Sequence, residues 1–442
     1  MSKPAVARPW DVGEDRPTHV AKLPMPWGAE QGLGHIMTRA EAFELVERAR
    51  GKTPADWLSW THIGQALHIV GDSVGGLRCA RKAVEIYQCS YTLLNLAVIL
   101  ECFGEFKEAL DLASQAVIMD PTNQFAGLLW AQGHLRRGEW KEAWAPFEHY
   151  CWGRIWEVGL EQYIPQWQGQ SLDKKRLLVL QGGGFGDNLM FMRWFQDLKE
   201  MGAHITYACP DVMVPLLKGH KWIDRLLPTH EGPETGELPE VDLLVKEFDY
   251  FVPLMGIPRR LGVTVESLRW DVPYIRPELR VHRWITRDLP IVGICWAGAE
   301  KLDPRRHRSL TKAQTVRLLS VDGIEWVNLQ YGMQAPVPIC TPEIRNWKDT
   351  AEIIAALDLV ITVDTGVMHL AGAMGKRTIC LLPSLSDWKF GLYENNQNHM
   401  SFYPSVQLIR NEQFAKEPGL DHAVNYLVSV LPSMLTMAKE TQ

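Results

Sequence analysis

The chain has 442 residues, of which 46% are hydrophobic and 22% charged, and its formal net charge is -6. This composition excludes a mainly disordered protein, and the length predicts two or three domains because one hydrophobic core seldom organises so many residues. The negative net charge gives no general attraction to nucleic acid or to an anionic membrane surface. With neither a membrane-length apolar run nor a signal-peptide core in the sequence, we expect a cytoplasmic location.

Eight cysteines are scattered along the chain. None forms a CxxC pair or a cluster with histidine, so the pattern favours reduced core thiols over a disulfide framework or a structural zinc site. We therefore expect no bound metal and no other cofactor.

Residues 1–40 are rich in Pro and Gly and show no helical or strand period, which predicts an extended arm. Residues 41–160 change to helical periodicity, and the pattern repeats. The turn glycines Gly71, Gly104 and Gly138 lie 33 and 34 residues apart, the period of tetratricopeptide helix pairs.

Small residues support the repeat interpretation. Ala109 and Ala143 each follow a turn glycine by five positions, where a small side chain lets two helices pack closely. An unspecialised helical bundle is the alternative. Repeat stacks usually dock partners, so this domain is expected to bind another protein or a second copy of the chain.

The remaining sequence alternates strands and helices, which predicts an α/β fold with two Rossmann-like domains at residues 176–280 and 290–442. The predicted strands are 176–181, 204–209, 222–227 and 241–245 in the first domain, and 291–296, 325–330, 358–363 and 377–382 in the second. The predicted helices are 188–201, 311–320, 350–357 and 365–374. Ligands of such folds bind beyond the carboxyl ends of the strands, so the loops there are expected to hold the chemistry.

The first of these loops reads QGGGFGDNLMF and joins a strand to a helix. Gly184 and Gly186 let the backbone approach a ligand, and the helix start offers free N–H groups to a phosphate. Asp187 is the candidate general base for an acceptor hydroxyl. The alternative is that Asp187 only caps the helix.

The second loop, ITVDTGVMHLAGAMGKRTICLLP, carries Asp364, Thr365, Gly366 and His369. A strand ends at Asp364, and the N–H groups that follow it are suited to a diphosphate. His369 lies one helical turn after Thr365 and faces the same side. In the alternative interpretation the first two residues are caps and His369 is a hydrogen-bonded core residue.

The third loop, CWAGAEKLDPRRHRSL, brings Arg308 and its basic neighbours to the same edge, where cations could neutralise a pyrophosphate leaving group. A solvated basic surface is the alternative. Three residues are predicted to form the rim of the donor pocket: Trp296, Ser384 and Asp387.

Together these segments resemble glycosyltransferase family nine, the ADP-heptose:lipopolysaccharide heptosyltransferase superfamily, and especially its bacterial and phage-type members with N-terminal tetratricopeptide repeats. The matching strings are LLVLQGGGFGDNLMFMRW, VGICWAG, RHRSL, AALDLVITVDTGVMHLAGAMGKRTICLLP and the SDW that follows. The loop 383–388 departs from the Gly-Pro-Thr-type loop of heptosyltransferases proper, which leaves the donor sugar and base open.

The resemblance implies a GT-B fold and metal-independent inverting transfer of a sugar from a nucleotide-sugar donor. It implies that Asp187 is the base, that Thr365, Gly366 and His369 lie at the phosphate-side helix start, and that Arg308 lies near the donor phosphates. The expected acceptor is a glycan such as lipopolysaccharide, or a protein. Two alternatives remain: transfer to a modified base of phage DNA, which would place the protein in the host cytoplasm, and a non-catalytic repeat scaffold that binds a nucleotide.

Overall fold

The computed structural model describes residues 37–155, 160, 163–229, 247–269, 272–278, 289–298, 308–391, 399–411 and 419–440. Its described residues fall into two compact units, the first ending at Cys151 and the second beginning at Trp152. Among the described helices, none is both long and apolar enough to cross a membrane. Most of the predicted arm, residues 1–36, lies outside the described residues, and the first helix begins at Arg39.

The first unit is all-helical. Its helices are α1 Arg39–Ala49, α2 Trp57–Val70, α3 Ser73–Ile86, α4 Ser90–Glu101, α5 Phe106–Met119, α6 Gln124–Arg136 and α7 Trp140–Ile155. The turns within the pairs α2–α3, α4–α5 and α6–α7 contain Gly71, Gly104 and Gly138, with φ of 107°, 78° and 80°. Residues with a side chain rarely adopt this left-handed backbone conformation, so each of these turns needs glycine.

The small residues of the repeats lie where the helices touch. Ala109 and Ala143 are 2% and 0% exposed, and Ala109 packs in a cluster with Leu96 and Leu100 of α4. A buried ion pair between Arg136 and Glu101 joins the second and third helix pairs. The predicted helix pairs are therefore present, and their assignment to the tetratricopeptide type stays a prediction.

The first sheet of the second unit has four parallel strands in the order β3-β2-β1-β4. They are β1 Arg176–Leu180, β2 His204–Pro210, β3 Arg225–Thr229 and β4 Tyr250–Pro253, with helices α8 Phe185–Phe191, α9 Phe195–Glu200, α10 Val214–Leu217 and α11 Ile257–Leu261. Four of the five residues of β1 are fully buried, as expected for a central parallel strand.

The second sheet has six strands in the order β6-β5-β7-β8-β10-β9, with only β9 antiparallel to its neighbour among the described strands. They are β5 Ile291–Cys295, β6 Glu325–Asn328, β7 Leu359–Val363, β8 Thr378–Leu382, β9 His399–Met400 and β10 Tyr403–Arg410. The helices are α12 Lys312–Leu319, α13 Trp347–Ala356, α14 Gly366–Ala373 and α15 Asp421–Glu440. Residues of α15 pack in the core cluster of this sheet, including Val424, Leu427 and Leu431.

Two parallel sheets flanked by helices confirm the predicted GT-B class. Three details differ from the prediction. The third strand begins at Arg225 rather than at Trp222, and strands β4, β9 and β10 were not predicted. The helix predicted at 188–201 begins at Phe185 and is divided by a 3-10 turn, Met192–Trp194, where the side chain of Arg193 turns to donate to the Phe402 carbonyl at 2.6 Å. The predicted strand 241–245 lies outside the described residues.

Candidate functional site

The first loop holds a carboxylate at the edge of its sheet. Asp187 lies in the first turn of α8, and its Oδ2 accepts a hydrogen bond from the Gly184 N–H at 2.9 Å. The capping alternative thus describes one oxygen of this carboxylate correctly. The side chain remains 25% exposed, so the group is held in place without being buried.

Asn188 fixes the shape of the same loop. Its amide nitrogen donates to the carbonyls of Gly182 and Gly184 at 3.1 and 2.9 Å, and its Oδ1 accepts from the Tyr207 hydroxyl of β2 at 2.6 Å. Both the oxygen and the nitrogen of the Asn188 amide are hydrogen-bonded, so they hold the glycine loop against strand β2. The neighbouring residue Asp187 is fixed in position as a result.

The second loop presents a helix start of a different kind. Thr365 is the N-cap of α14, yet its side chain makes no capping hydrogen bond. Its Oγ1 lies 3.1 Å from the hydroxyl of Thr362 and 3.7 Å from the Cys295 sulfur instead. Burial raises the pKa of the Cys295 thiol to about 11, so it is neutral and unsuited to be a nucleophile.

Arg308 and Asp364, both predicted to bind donor phosphates, form an ion pair. The Arg308 Nη1 lies 3.2 Å from Asp364 Oδ2, and the side chains are 12% and 8% exposed. Asp364 therefore orients the guanidinium beside the start of α14. The other cations of the third loop, at residues 305–307, lie outside the described residues.

His369 is where the two sheets' helices meet. Burial, and then the charge of Lys389, hold the pKa of His369 well below its ordinary value. The imidazole is consequently neutral, with Nδ1 3.4 Å from the Tyr403 hydroxyl. A Cβ added to Gly186 would lie 2.5 Å from His369 Cδ2, so glycine at 186 is what permits this approach.

Lys389 connects the two loops directly, and the sequence analysis missed it. Its Nζ lies 3.2 Å from Asp187 Oδ1 and 3.9 Å from Asp387 Oδ2. The Lys389 side chain is only 9% exposed. It belongs to the 3-10 turn Trp388–Phe390 that follows β8, one residue beyond the SDW string, and its position at the carboxyl edge of the sheet was the available signal.

The predicted rim residues are placed at different depths. Trp296 packs in the core cluster of the second sheet, and its backbone N–H donates to Gln330 Oε1 at 3.1 Å. The Ser384 hydroxyl donates to the Asn411 carbonyl at 3.0 Å. Asp387 lies beside Lys389, so of the three it is the one whose side chain joins the cluster around Asp187.

Aromatic residues pack beside the starts of α8 and α14. The ring of Trp347 lies against Gly366 and against Phe185, with 5.4 Å between the two ring centroids. Deeper in the unit, the Arg193 guanidinium lies over the ring of Tyr403 at 5.1 Å, and the Tyr274 hydroxyl lies 3.3 Å from that of Tyr403. Neither arrangement was predicted, because both join residues far apart in sequence.

The structure therefore brings Asp187 together with His369, Asp387 and Lys389, and places the Arg308–Asp364 pair at the start of the same helix that carries His369. Within the described ranges, no group of three or more His, Cys, Asp or Glu side chains has the arrangement of a metal site.

Comparison with known proteins supports a transferase. Residues 341–416 match the family model of glycosyltransferase family 9 (heptosyltransferase). The matched segment contains Thr365, His369 and Lys389 but neither Asp187 nor Arg308. The match confirms the predicted resemblance and the assignment of the chain as a glycosyltransferase.

The matches that cover a larger share of the chain have low sequence identity. Protein FlbA of Caulobacter vibrioides is 26% identical over 422 residues, which cover 86% of this chain and 68% of that protein. The solved structure of Escherichia coli ADP-heptose LPS heptosyltransferase II is 15% identical, with a TM-score of 0.42, over 60% of this chain and 99% of that one. A mutant Thermobaculum terrenum O-GlcNAc transferase is 12% identical, with a TM-score of 0.31, over 91% of this chain and 89% of that one.

Proposed function

We propose that the protein transfers a sugar from a nucleoside-diphosphate donor to an acceptor hydroxyl, in a single inverting displacement that uses no metal ion. One observation carries the proposal. The Asp187 carboxylate of the first sheet faces Lys389 of the second, next to the helix that begins at Thr365 and carries His369.

Asp187 is the general base of this proposal. The carboxylate takes the proton from the acceptor hydroxyl while that oxygen bonds to the anomeric carbon. The bond from the anomeric carbon to the diphosphate breaks in the same step, and its electron pair leaves with the phosphate oxygen. Attack from the face opposite the leaving group inverts the anomeric centre. A positioned base of this kind contributes roughly a hundredfold to ten-thousandfold in rate.

Negative charge develops on the departing diphosphate, and residues of the second and third loops can stabilise that charge. Arg308, oriented by Asp364, supplies a fixed guanidinium. The N–H groups at the start of α14 supply the positive end of a helix dipole, and the Thr365 side chain does not occupy them. Preorganised charges of this kind are usually the largest share of such catalysis.

For His369 we propose a packing role in place of the phosphate contact suggested by its spacing. A neutral, buried imidazole cannot neutralise a phosphate. We assign it to the contact with Gly186, where it sets the distance between the two helix starts.

The proposal needs no divalent cation because Arg308 and the helix start carry the charge that a metal would otherwise supply. Transfer should proceed at the same rate in EDTA as in magnesium. A rate that falls in EDTA and returns with one added metal ion would contradict this part of the proposal.

The acceptor is proposed to be a hydroxyl of a glycan or of a protein. A modified base of phage DNA is the less favoured acceptor, because the net charge of -6 gives the chain no general attraction to nucleic acid.

The test begins with thermal-shift screening against ADP-, UDP-, GDP- and CDP-linked sugars. A donor that binds only the folded state raises the melting temperature. The stabilising donor is then followed for hydrolysis and for transfer by the wild type and by Asp187→Asn. We expect the wild type to turn over and the variant to lose at least about a hundredfold.

Three results would contradict the proposal in different ways. A donor that binds but is neither hydrolysed nor transferred would favour the non-catalytic scaffold, and a panel in which no donor raises the melting temperature would contradict the use of a nucleotide sugar. Binding and turnover that are equal in wild type and Asp187→Asn would leave a transferase whose base is another residue.

A further inference from the structure

The ion pair between Asp187 and Lys389 raises a chemical difficulty for the proposed base. Asp187 Oδ2 already accepts from the Gly184 N–H at 2.9 Å, and Oδ1 faces the Lys389 ammonium at 3.2 Å. Both oxygens are therefore engaged by donors that stabilise the charged carboxylate. Before Oδ1 can take a proton from an acceptor hydroxyl, the ammonium has to withdraw from it.

Lys389 cannot simply withdraw into apolar surroundings. Its side chain is 9% exposed, and an ammonium that is mostly buried is costly unless an anion is near it. Asp387, at 3.9 Å, is one such anion, but it is already within the cluster and offers no reason for Lys389 to move. A second anion of higher charge is needed to draw the ammonium away.

The donor diphosphate of the proposed function would be such an anion. Lys389 follows β8, the neighbour of the strand that leads into α14, and its charge already acts on His369 in the first turns of that helix. The flexible four-carbon stem of lysine carries a compact charge that can pivot between two partners, which a planar guanidinium does less readily.

We propose that Lys389 exchanges partners in the reaction: it pairs with Asp187 in the arrangement described here and moves to the diphosphate when a donor binds. This inference rests on the proposed function and deepens it. The exchange releases Asp187 Oδ1 to accept the acceptor's proton and adds a cation to the leaving group. It also makes the base competent only after the donor has arrived, so the donor binds before the acceptor.

Partner exchange makes a prediction that a static ion pair does not. If Asp187 competes with the diphosphate for Lys389, then removing the charge of Asp187 should tighten diphosphate binding. Asp187→Asn is suited to this test because Asp387 remains beside Lys389 and still balances its charge.

The experiment is calorimetric titration of inorganic pyrophosphate, and of ADP, UDP and GDP in turn, into the full chain and four variants. Asp187→Asn should bind about fivefold tighter than wild type, the size of a coupling between neighbouring charged groups. Lys389→Met should bind more weakly. The double variant should match Lys389→Met, because without the ammonium Asp187 has nothing to compete for.

Asp224→Asn is the matched control. Asp224 also pairs with a lysine, Lys199, at 2.8 Å, with both side chains 28% exposed, and neither residue contacts the cluster around Asp187. Asp224→Asn removes one negative charge from the chain, as Asp187→Asn does, so this control measures any general gain in affinity for anions. We expect wild-type affinity in this variant.

The outcomes separate the two proposals. Tighter binding that persists in the double variant, or that Asp224→Asn reproduces, would overturn partner exchange. So would unchanged binding in Asp187→Asn, while transfer by the wild type would still support the proposed function. A wild type that binds none of the four probes would overturn the transferase function and the role of Lys389 together.

Discussion

The starts of helices α8 and α14, both in the second unit, have similar surroundings but differ in which side chains bind their free N–H groups. Each comes directly after a buried parallel strand. At α8, Asp187 turns back and accepts from the N–H of Gly184 at 2.9 Å. At α14, the Thr365 hydroxyl lies beside that of Thr362 at 3.1 Å and makes no hydrogen bond to the helix.

Under the proposed function, this difference gives the two similar motifs different roles. A helix start that carries its own carboxylate repels a phosphate and suits a base. A helix start whose N–H groups receive no side chain suits a phosphate. The number of glycines alone would assign the phosphate site to the first loop, because that loop has more of them. The position of the acidic residue, inside the helix in one loop and before it in the other, is the better guide.

Gly186→Ala tests whether the two helix starts meet as described. The added Cβ would lie 2.5 Å from the ring of His369, which is 1% exposed and has little room to shift. We expect a loss of about 2 kcal/mol in the free energy of unfolding, typical of an overpacked core, measured by urea denaturation.

Gly184→Ala is the control from the same loop. Gly184 has an ordinary φ of -78°, and an added Cβ would come only within 3.7 Å of Asp187 Oδ2. This variant should unfold with nearly the wild-type midpoint. Equal stability of the two variants would contradict the close approach of α8 and α14.

The sequence was sufficient to predict most strands of the two sheets. Strands such as β5, β7 and β8 are continuous apolar runs, and every residue in them is buried. Such runs are typical of parallel strands covered on both faces. The turn glycines of the repeats were equally clear, since a left-handed turn and a 33- to 34-residue period have a direct signature.

The sequence did not predict contacts between residues that lie far apart in the chain. Lys389 is significant because it meets Asp187, which is 202 positions away, and no local pattern encodes that contact. The Arg193 contact was missed for a similar reason, since its partner is the carbonyl of Phe402, 209 positions away. His369 had the spacing of a ligand, but its burial, which only the assembled fold reveals, makes it neutral.

Arg308→Gln tests the phosphate side of the comparison. Glutamine can still donate to Asp364 but carries no charge, so the pair should hold its geometry while losing its attraction for a diphosphate. We expect calorimetry to show about tenfold weaker binding of the nucleoside diphosphate, the size of one charge-assisted hydrogen bond. Arg317→Gln, at an exposed arginine that donates to Asn425, should bind as wild type. Equal weakening in both variants would assign the effect to net charge.

The smallest expected effect concerns pH and the contact between the helices. Burial holds the pKa of His369 well below 6.5 in the folded chain, whereas the unfolded chain binds a proton near pH 6.5. Stability should therefore be fully present above that pH and fall as the solution becomes more acidic, because only the unfolded state takes up the proton. Between pH 8 and pH 5.5 this one group accounts for about 1 kcal/mol.

His369→Gln removes this contribution but keeps a polar group near Tyr403. Urea denaturation at the two pH values should show that the variant loses about 1 kcal/mol less than wild type on acidification, whatever its stability at pH 8. The other histidines titrate in both proteins and cancel in the difference. Equal losses would mean that His369 takes up a proton in the folded state, and the contact between the two helix starts would then have to accommodate a charge.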